Sequence, residues 1–137
     1  MFQKIMVPVD LAHQDSLGRA LDAAAMLAKA ASGTVTYVGV TAETPTPVAH
    51  NPAEFAEKLR AFAAQEASRH GIATDSLAVP AHDPAIDLND NLLKAADQIA
   101  ADAIVMASHI PNLGDHLWPS HGGQVAKRSK ASVFVIR

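Results

Sequence analysis

The chain contains no cysteine, so it has neither a disulfide framework nor a thiolate site, and cysteine usage says nothing about its compartment. It has no run of about eighteen apolar residues, the length that a membrane-spanning helix needs. Its opening residues, MFQKIMVPVD, turn acidic too early for a secretory signal, and the expectation is a soluble cytoplasmic protein. Basic charge is in deficit. Lys and Arg number 11 against 14 Asp and Glu, a net charge of −3 with neutral histidines. A nucleic-acid partner would want a basic face, so none is expected, whereas small ligands are left open. Catalytic signatures are missing too: there is no Gly-x-Ser-x-Gly elbow, no Walker sequence and no His-Glu-x-x-His helix. No repeat, low-complexity stretch or linker interrupts the 137 residues, a length that fits one domain, and no boundary is drawn.

What is present is apolar patterning. Apolar residues make up 49% of the chain, and alanine, a strong helix former, dominates them. Segment 2–9, FQKIMVPV, is β-branched and apolar and reads as a buried strand. A helix pattern starts at Asp15-Ser16, with Leu17, Ala20, Leu21, Ala24 and Ala28 on one face and Gly33 as its stop. Segment 34–40 is a second strand, and residues 41–51, with two prolines and no period, form a loop. Asn51-Pro52-Ala53-Glu54 is a helix start, with Asn as cap and Pro at the first helical position; Phe55, Leu59 and Phe62 carry the face on to about His70-Gly71. Segment 76–81 is a weaker strand whose Pro80 suggests a sheet edge. Asp83-Pro84 opens another helix with Leu88, Leu92, Ala95, Ala96 and Ile99 as its stripe. The short strand 103–107, AIVMA, leads into the irregular stretch ASHIPNLGDHLWPSHGG. A helix from about Ser120 to Lys130 precedes the closing strand ASVFVIR, whose poor alternation implies burial on both faces or pairing with another chain. Strict alternation of strand and helix implies an α/β fold: a mostly parallel sheet with helices on both faces.

In such a sheet, ligands bind at the carboxyl ends of strands where the strand order reverses. Three tips follow, at Pro8-Val9-Asp10, at Val40 and at Ala107. The Asp10 carboxylate suits a ribose hydroxyl or an adenine amino group, and equally suits the cap of the turn into the first helix. Ser120-His121-Gly122-Gly123 falls at a helix start, where free N–H groups and the helix dipole favour an anion. An ordinary N-cap at Ser120 is the competing reading, but a cap alone does not need two glycines inside the helix.

Taken together, VPVD after the first strand, ASH after the fourth, a helix start marked by serine and glycine, and the closing VFVIR resemble the universal stress protein family over the whole chain. The resemblance implies an open five-stranded sheet of order 3-2-1-4-5 in a single-domain α/β fold. It also implies a cleft between strands one and four, and in many members bound ATP or AMP. The family's motif, Gly, two residues, Gly, nine residues, Gly, then Ser or Thr, falls on Ala107, Ile110 and Pro119-Ser120, with eight residues in the longer gap, so only the serine is kept. Ala107-Ser108-His109-Ile110-Pro111 matches the branch that reads Ala-Ser-His-x-Pro and keeps Gly-Ser-Asn after a shorter loop. By this resemblance Pro8, Val9 and Asp10 flank the adenosine and Val40 meets adenine through its backbone. Ala107, Ser108 and His109 belong to the loop side of the site, and Ser120, His121 and Gly122 face the phosphates. Pro119 removes one phosphate donor. Such a lost bond to a charged group is worth about 1.5–3 kcal/mol, roughly one to two decades of affinity.

His109, His116 and His121, with Asp115, share one loop, but their spacings of seven and five are not those of a helical metal motif. No metal site is assigned, and no metal is expected beyond magnesium carried by a nucleotide. His13, His50, His70 and His82 fall at element ends and read as surface residues. Catalysis is limited to weak ATP hydrolysis or self-phosphorylation, implied by the family, with Ser120 as acceptor. The closing strand, Val133, Phe134, Val135 and Ile136, would be an exposed apolar edge, and pairing it with a twin makes a homodimer. Trp118 shields a ligand, anchors a subunit contact or joins a local cluster. The function expected is a stress-response regulator that binds an adenine nucleotide. The alternative is an interaction protein of the same fold with a degenerate cleft.

Overall fold

Apolar β-branched runs bounded by turns become strands here, and the central ones are covered on both faces. The structure, a computed structural model, describes residues 1–84, 86–108 and 118–137, and for 118–122 the backbone alone. Strands β1 (Lys4–Pro8), β2 (Thr34–Ala42), β3 (Ala73–Ala81), β4 (Ala103–Ala107) and β5 (Ser132–Ile136) form one sheet of order β3-β2-β1-β4-β5. Every neighbouring pair is parallel. The helices are α1 (Gly18–Ala31), α2 (Pro52–His70), α3 (Leu88–Gln98) and α4 (Trp118–Arg128), and a 3₁₀ helix, Leu11–Leu17, precedes α1.

The strands' period of two sorts the core into two layers. Ile5, Val7, Val35, Tyr37 and Val105 pack with Leu17, Leu21, Ala24 and Ala28 beneath α1 and with Phe55, Leu59 and Phe62 of α2. Met6, Val38, Ile104 and Met106 point the other way, onto Leu92, Ala95 and Ala96 of α3 and Val125 of α4. Full burial of each such side chain contributes about 1.5–3 kcal/mol. The amino end of the sheet is clipped by Asp102, whose carboxylate accepts the N–H groups of Gln3 (3.0 Å) and Lys4 (3.1 Å).

The start of α2 is built as the sequence implies. The Asn51 side chain accepts the Glu54 N–H at 2.8 Å, Pro52 takes the first turn, and Gly71 closes the helix at φ 65°. Hydrogen bonding from His50 holds the Glu54 carboxyl below its usual range. Other ends differ from expectation. The first helix does not begin at Asp15-Ser16, because the chain leaves β1 as a 3₁₀ helix and only becomes α-helical at Gly18. Ser32, not Gly33, takes the left-handed cap at φ 52°. Gly33 is needed for a different reason: a Cβ there would stand 2.6 Å from the Phe2 carbonyl oxygen. Helix α3 begins at Leu88 and not at Asp83-Pro84, because Asp83 closes its own turn by accepting the N–H groups of Ile86 and Asp87. Strand β3 begins three residues before Ser76, and Pro80 does lie on an edge strand.

His70 is not a surface residue. It is 13% exposed and joins a charged cluster between α1 and α2. Arg69 donates to Glu66 at 3.0 Å and lies 3.6 Å from Asp22, and His70 Nε2 stands 3.2 Å from Glu66 without the alignment of a hydrogen bond. The Tyr37 ring lies in the same layer, with its hydroxyl unpartnered among the described residues.

Candidate functional site at the carboxyl edge

A parallel sheet points all its strand carboxyl ends to one edge. The order β3-β2-β1-β4-β5 opens a crevice on that edge between β1 and β4, where successive strands depart in opposite directions. Pro8 ends β1 and Ala107 ends β4; both are buried, and Val9 is 8% exposed. Asp10 is the first side chain beyond the β1 lip that reaches the surface.

Two bonds hold the Asp10 carboxylate. Oδ1 accepts the Ala12 N–H at 2.9 Å, and Oδ2 lies 2.9 Å from Nδ1 of His13. Asp10 is therefore the cap of the turn that follows β1. That does not use up the group, because a carboxylate offers about four lone-pair sites. His13 is the residue that reading the sequence missed. It reads as a surface residue and is about one-third exposed, and the signal of its pairing with Asp10 is the Asp-x-x-His spacing directly after a strand tip. Its backbone (φ −133°, ψ 48°) breaks the 3₁₀ helix, its N–H donates to the Asp10 carbonyl at 3.0 Å, and its own carbonyl accepts Ser16 Oγ at 2.8 Å.

Val40 lies within β2, which runs two residues further than expected, to Ala42. The Val38 carbonyl accepts the Val9 N–H at 2.9 Å, so the Val38 peptide groups face β1. Groups two residues apart on a strand point the same way, so the Val40 N–H and C=O face the space beyond the end of β1. That space is the crevice. The Val40 backbone faces it from β2, and Asp10 follows the tip of β1 beside it.

The opposite wall is less generous. The Ser108 N–H donates to the Ile136 carbonyl at 2.7 Å, so the amide following β4 is already bonded. Helix α4 starts at Trp118, two residues before the expected Ser120. Ser120 is then the third helical residue and keeps an N–H with no helical acceptor, while the amides of His121 and Gly122 fall at positions that bond back along the helix. Pro119 has no N–H. His109, with the rest of residues 109–117, lies outside the described residues, as do the side chains of Trp118, Ser120 and His121. The loop that carries His109 and His116, to which no metal was assigned, falls there too. Among the described residues no group of three or more His, Cys, Asp or Glu is placed to hold a metal.

A groove of about 720 Å³ adjoins the β1 tip, lined by Leu11 and Gln14 of the 3₁₀ helix, Pro47 and Val48 of the following loop, and Lys58 and Phe62 of α2, among others. Lys58 is committed there, to the Val48 carbonyl and to Glu54 at 3.3 Å. Neither Asp10 nor Val40 lines it. No helix among the described residues is long and apolar enough to cross a membrane.

The model of the universal stress protein family matches residues 1–137. No curated protein matches the chain. Among solved structures, a universal stress protein from Archaeoglobus fulgidus is 20% identical over 100% of both chains, with a TM-score of 0.72. A universal stress protein in complex with cAMP is 22% identical, covering 98% of this chain and 97% of the other, with a TM-score of 0.71. The Archaeoglobus fulgidus universal stress protein in complex with dAMP is 21% identical over 100% of both chains, with a TM-score of 0.69. At these identities the structural likeness shows the fold.

Proposed function

This chain belongs to the universal stress protein family, and from that membership we propose that it binds an adenine nucleotide, ATP or AMP, in the crevice between β1 and β4 and serves as a cytoplasmic stress-response regulator. The reading is supported by position: Asp10 follows the β1 tip, and the peptide groups of Val40 face the space beyond that tip, at the point where strand order reverses. A carboxylate takes ribose hydroxyls, and a backbone N–H with its neighbouring C=O reads an adenine edge. Structures of similar fold in complex with cAMP and dAMP support the ligand class.

In this reading Pro8, Val9 and Asp10 border the adenosine, and Ala107, Ser108 and His109 belong to the loop side of the site. Ser120, His121 and Gly122 turn toward the phosphates, with magnesium arriving only on the nucleotide. The loop belongs to the Ala-Ser-His-x-Pro branch. Among its amides, Ser120's is the best placed for a phosphate, since it sits in the first turn of α4. The adenosine half therefore supplies most of the affinity.

The protein is a homodimer through β5. The Ser132 N–H and the Ile136 carbonyl face β4, so the peptide groups of Val133 and Val135 point away from the sheet, and the Val135 side chain is 45% exposed. A second copy of the same strand covers that edge.

Calorimetric titration with ATP and with AMP tests the nucleotide reading, and absence of heat at millimolar ligand ends it. A second reading, an interaction protein with a degenerate cleft, draws on the bonded Ser108 amide and the missing Pro119 donor. It predicts no heat with either nucleotide and full retention of partner binding when Ser120 and Gly122 are replaced.

A further inference from the structure

We propose that His13, held by Asp10, is the charge gate of this crevice: its protonation state sets how well the site accepts an anionic adenine ligand compared with the uncharged nucleoside. The inference rests on the nucleotide reading and adds a residue and a specificity to it.

The geometry determines which nitrogen does what. Nδ1 lies 2.9 Å from Asp10 Oδ2, an acceptor, so Nδ1 carries the hydrogen and Nε2 is the nitrogen left over. The backbone beneath the ring is fixed on both sides, by bonds from the His13 N–H to the Asp10 carbonyl (3.0 Å) and from Ser16 Oγ to the His13 carbonyl (2.8 Å). Asp10 is itself fixed by the Ala12 N–H at 2.9 Å. Both side chains remain about one-third exposed, at 32% and 33%, so the pair is open to a ligand.

The consequence is electrostatic. With neutral His13 the pair carries one negative charge and Nε2 only accepts hydrogen bonds. With protonated His13 the pair is neutral overall and Nε2–H becomes a donor. Among the described residues Asp10 is the carboxylate paired with the ring. An anion beside this pair is repelled while His13 is neutral and accepted once it is protonated. Removing one unit charge at a distance of about 4–8 Å in a largely aqueous surrounding changes affinity by about three- to tenfold. Adenosine, which has no charge, lacks this term of the interaction and discriminates the effect.

The test uses cAMP and adenosine as probes. A phosphate monoester titrates near pH 6 and confuses the reading, whereas the cyclic diester keeps one negative charge across the range. Affinities of the full chain are measured by calorimetry from pH 5.5 to 8. The expected result is cAMP affinity falling by about three- to tenfold as pH rises, with adenosine nearly flat. In His13→Asn, whose side-chain amide keeps a donor near the Nδ1 position, the cAMP profile loses the part of its slope that His13 supplies and becomes measurably shallower. Should that variant fold poorly in a thermal melt, ring ¹⁵N shifts of the wild-type protein with and without cAMP carry the test, because a gating His13 becomes protonated at higher pH when the anion is bound. A cAMP profile that is flat, or that keeps its slope in His13→Asn, overturns the gate and leaves nucleotide binding standing. No binding of cAMP, ATP or AMP at any pH overturns the nucleotide reading and the gate together.

Discussion

Tyr37 is the only tyrosine in the chain, and its ring is fully buried, packed edge-to-face on Phe62 at 5.2 Å and 85°. Its hydroxyl has no hydrogen-bond partner among the described residues. A buried, unsatisfied hydroxyl costs about 1–3 kcal/mol, so Tyr37→Phe, which keeps the ring and deletes the oxygen, is expected to raise stability at neutral pH by about 1 kcal/mol. With about 2.1 cal/mol/K of unfolding entropy per residue, a 137-residue chain gains about 3–4 °C in Tm for that change. The difference then grows in alkali. Burial, and next the Glu66 charge, push the phenol well above its ordinary value, with Arg69 opposing. A raised folded value means that the folded chain keeps its proton while the unfolded chain releases it near pH 10. The stability linked to Tyr37 is therefore intact below pH 10 and is lost above it. Between pH 9.5 and 11 the wild-type protein should fall behind Tyr37→Phe by about a further 1 kcal/mol. Chemical denaturation at both pH values reads the stability, and phenolate absorbance follows the single tyrosine directly. If Tyr37→Phe loses stability at pH 7, or if phenolate appears at its ordinary midpoint in the folded chain, the account of an unpartnered, desolvated hydroxyl is wrong.

The remaining predictions concern the crevice and one strained turn. Asp10→Asn keeps an oxygen for the Ala12 N–H, and Asn caps about as well as Asp, so stability should hold within about 0.5 kcal/mol while nucleotide affinity falls by roughly one to two decades. Asp10→Ala removes the cap as well and should also lose about 0.5–2 kcal/mol in a urea melt, so the pair of variants separates the two duties of the residue. Ala100, at φ 52° just after α3, is a non-glycine residue in the left-handed region. Ala100→Gly relieves it and should raise Tm by about 2–4 °C in a thermal scan, without touching ligand affinity.

Much of the fold was readable along the chain, because it depends on local patterns. Asn51, Pro52 and Gly71 mark both ends of α2 by themselves, and the apolar stripe from Leu17 to Ala28 already names the buried face of the first helix. Where reading by pattern failed, a local signal had two uses. Asp83 and Asp10 are both good caps, yet Asp83 closes a turn five residues before α3, and Asp10 caps a 3₁₀ helix that delays α1. Gly33 looked like a helix stop, whereas the Phe2 backbone crossing close to it is what excludes a side chain. His70 looked like a surface residue at a helix end until Asp22 of α1 and Glu66 closed over it.

Periodicity and caps, then, decided which segments are strands and helices, since each is settled by neighbours within about four residues. That the backbone of Val40 faces the space beyond the β1 tip, which Asp10 follows thirty positions earlier in the chain, came only with the parallel register that sets Pro8 opposite Val38. The ring of His13 likewise found its carboxylate only when the backbone broke its 3₁₀ course at that residue. Alternation in the pleat turned the peptide groups of Val40 toward the gap beyond β1, and no property of a valine in a one-dimensional string contains that direction.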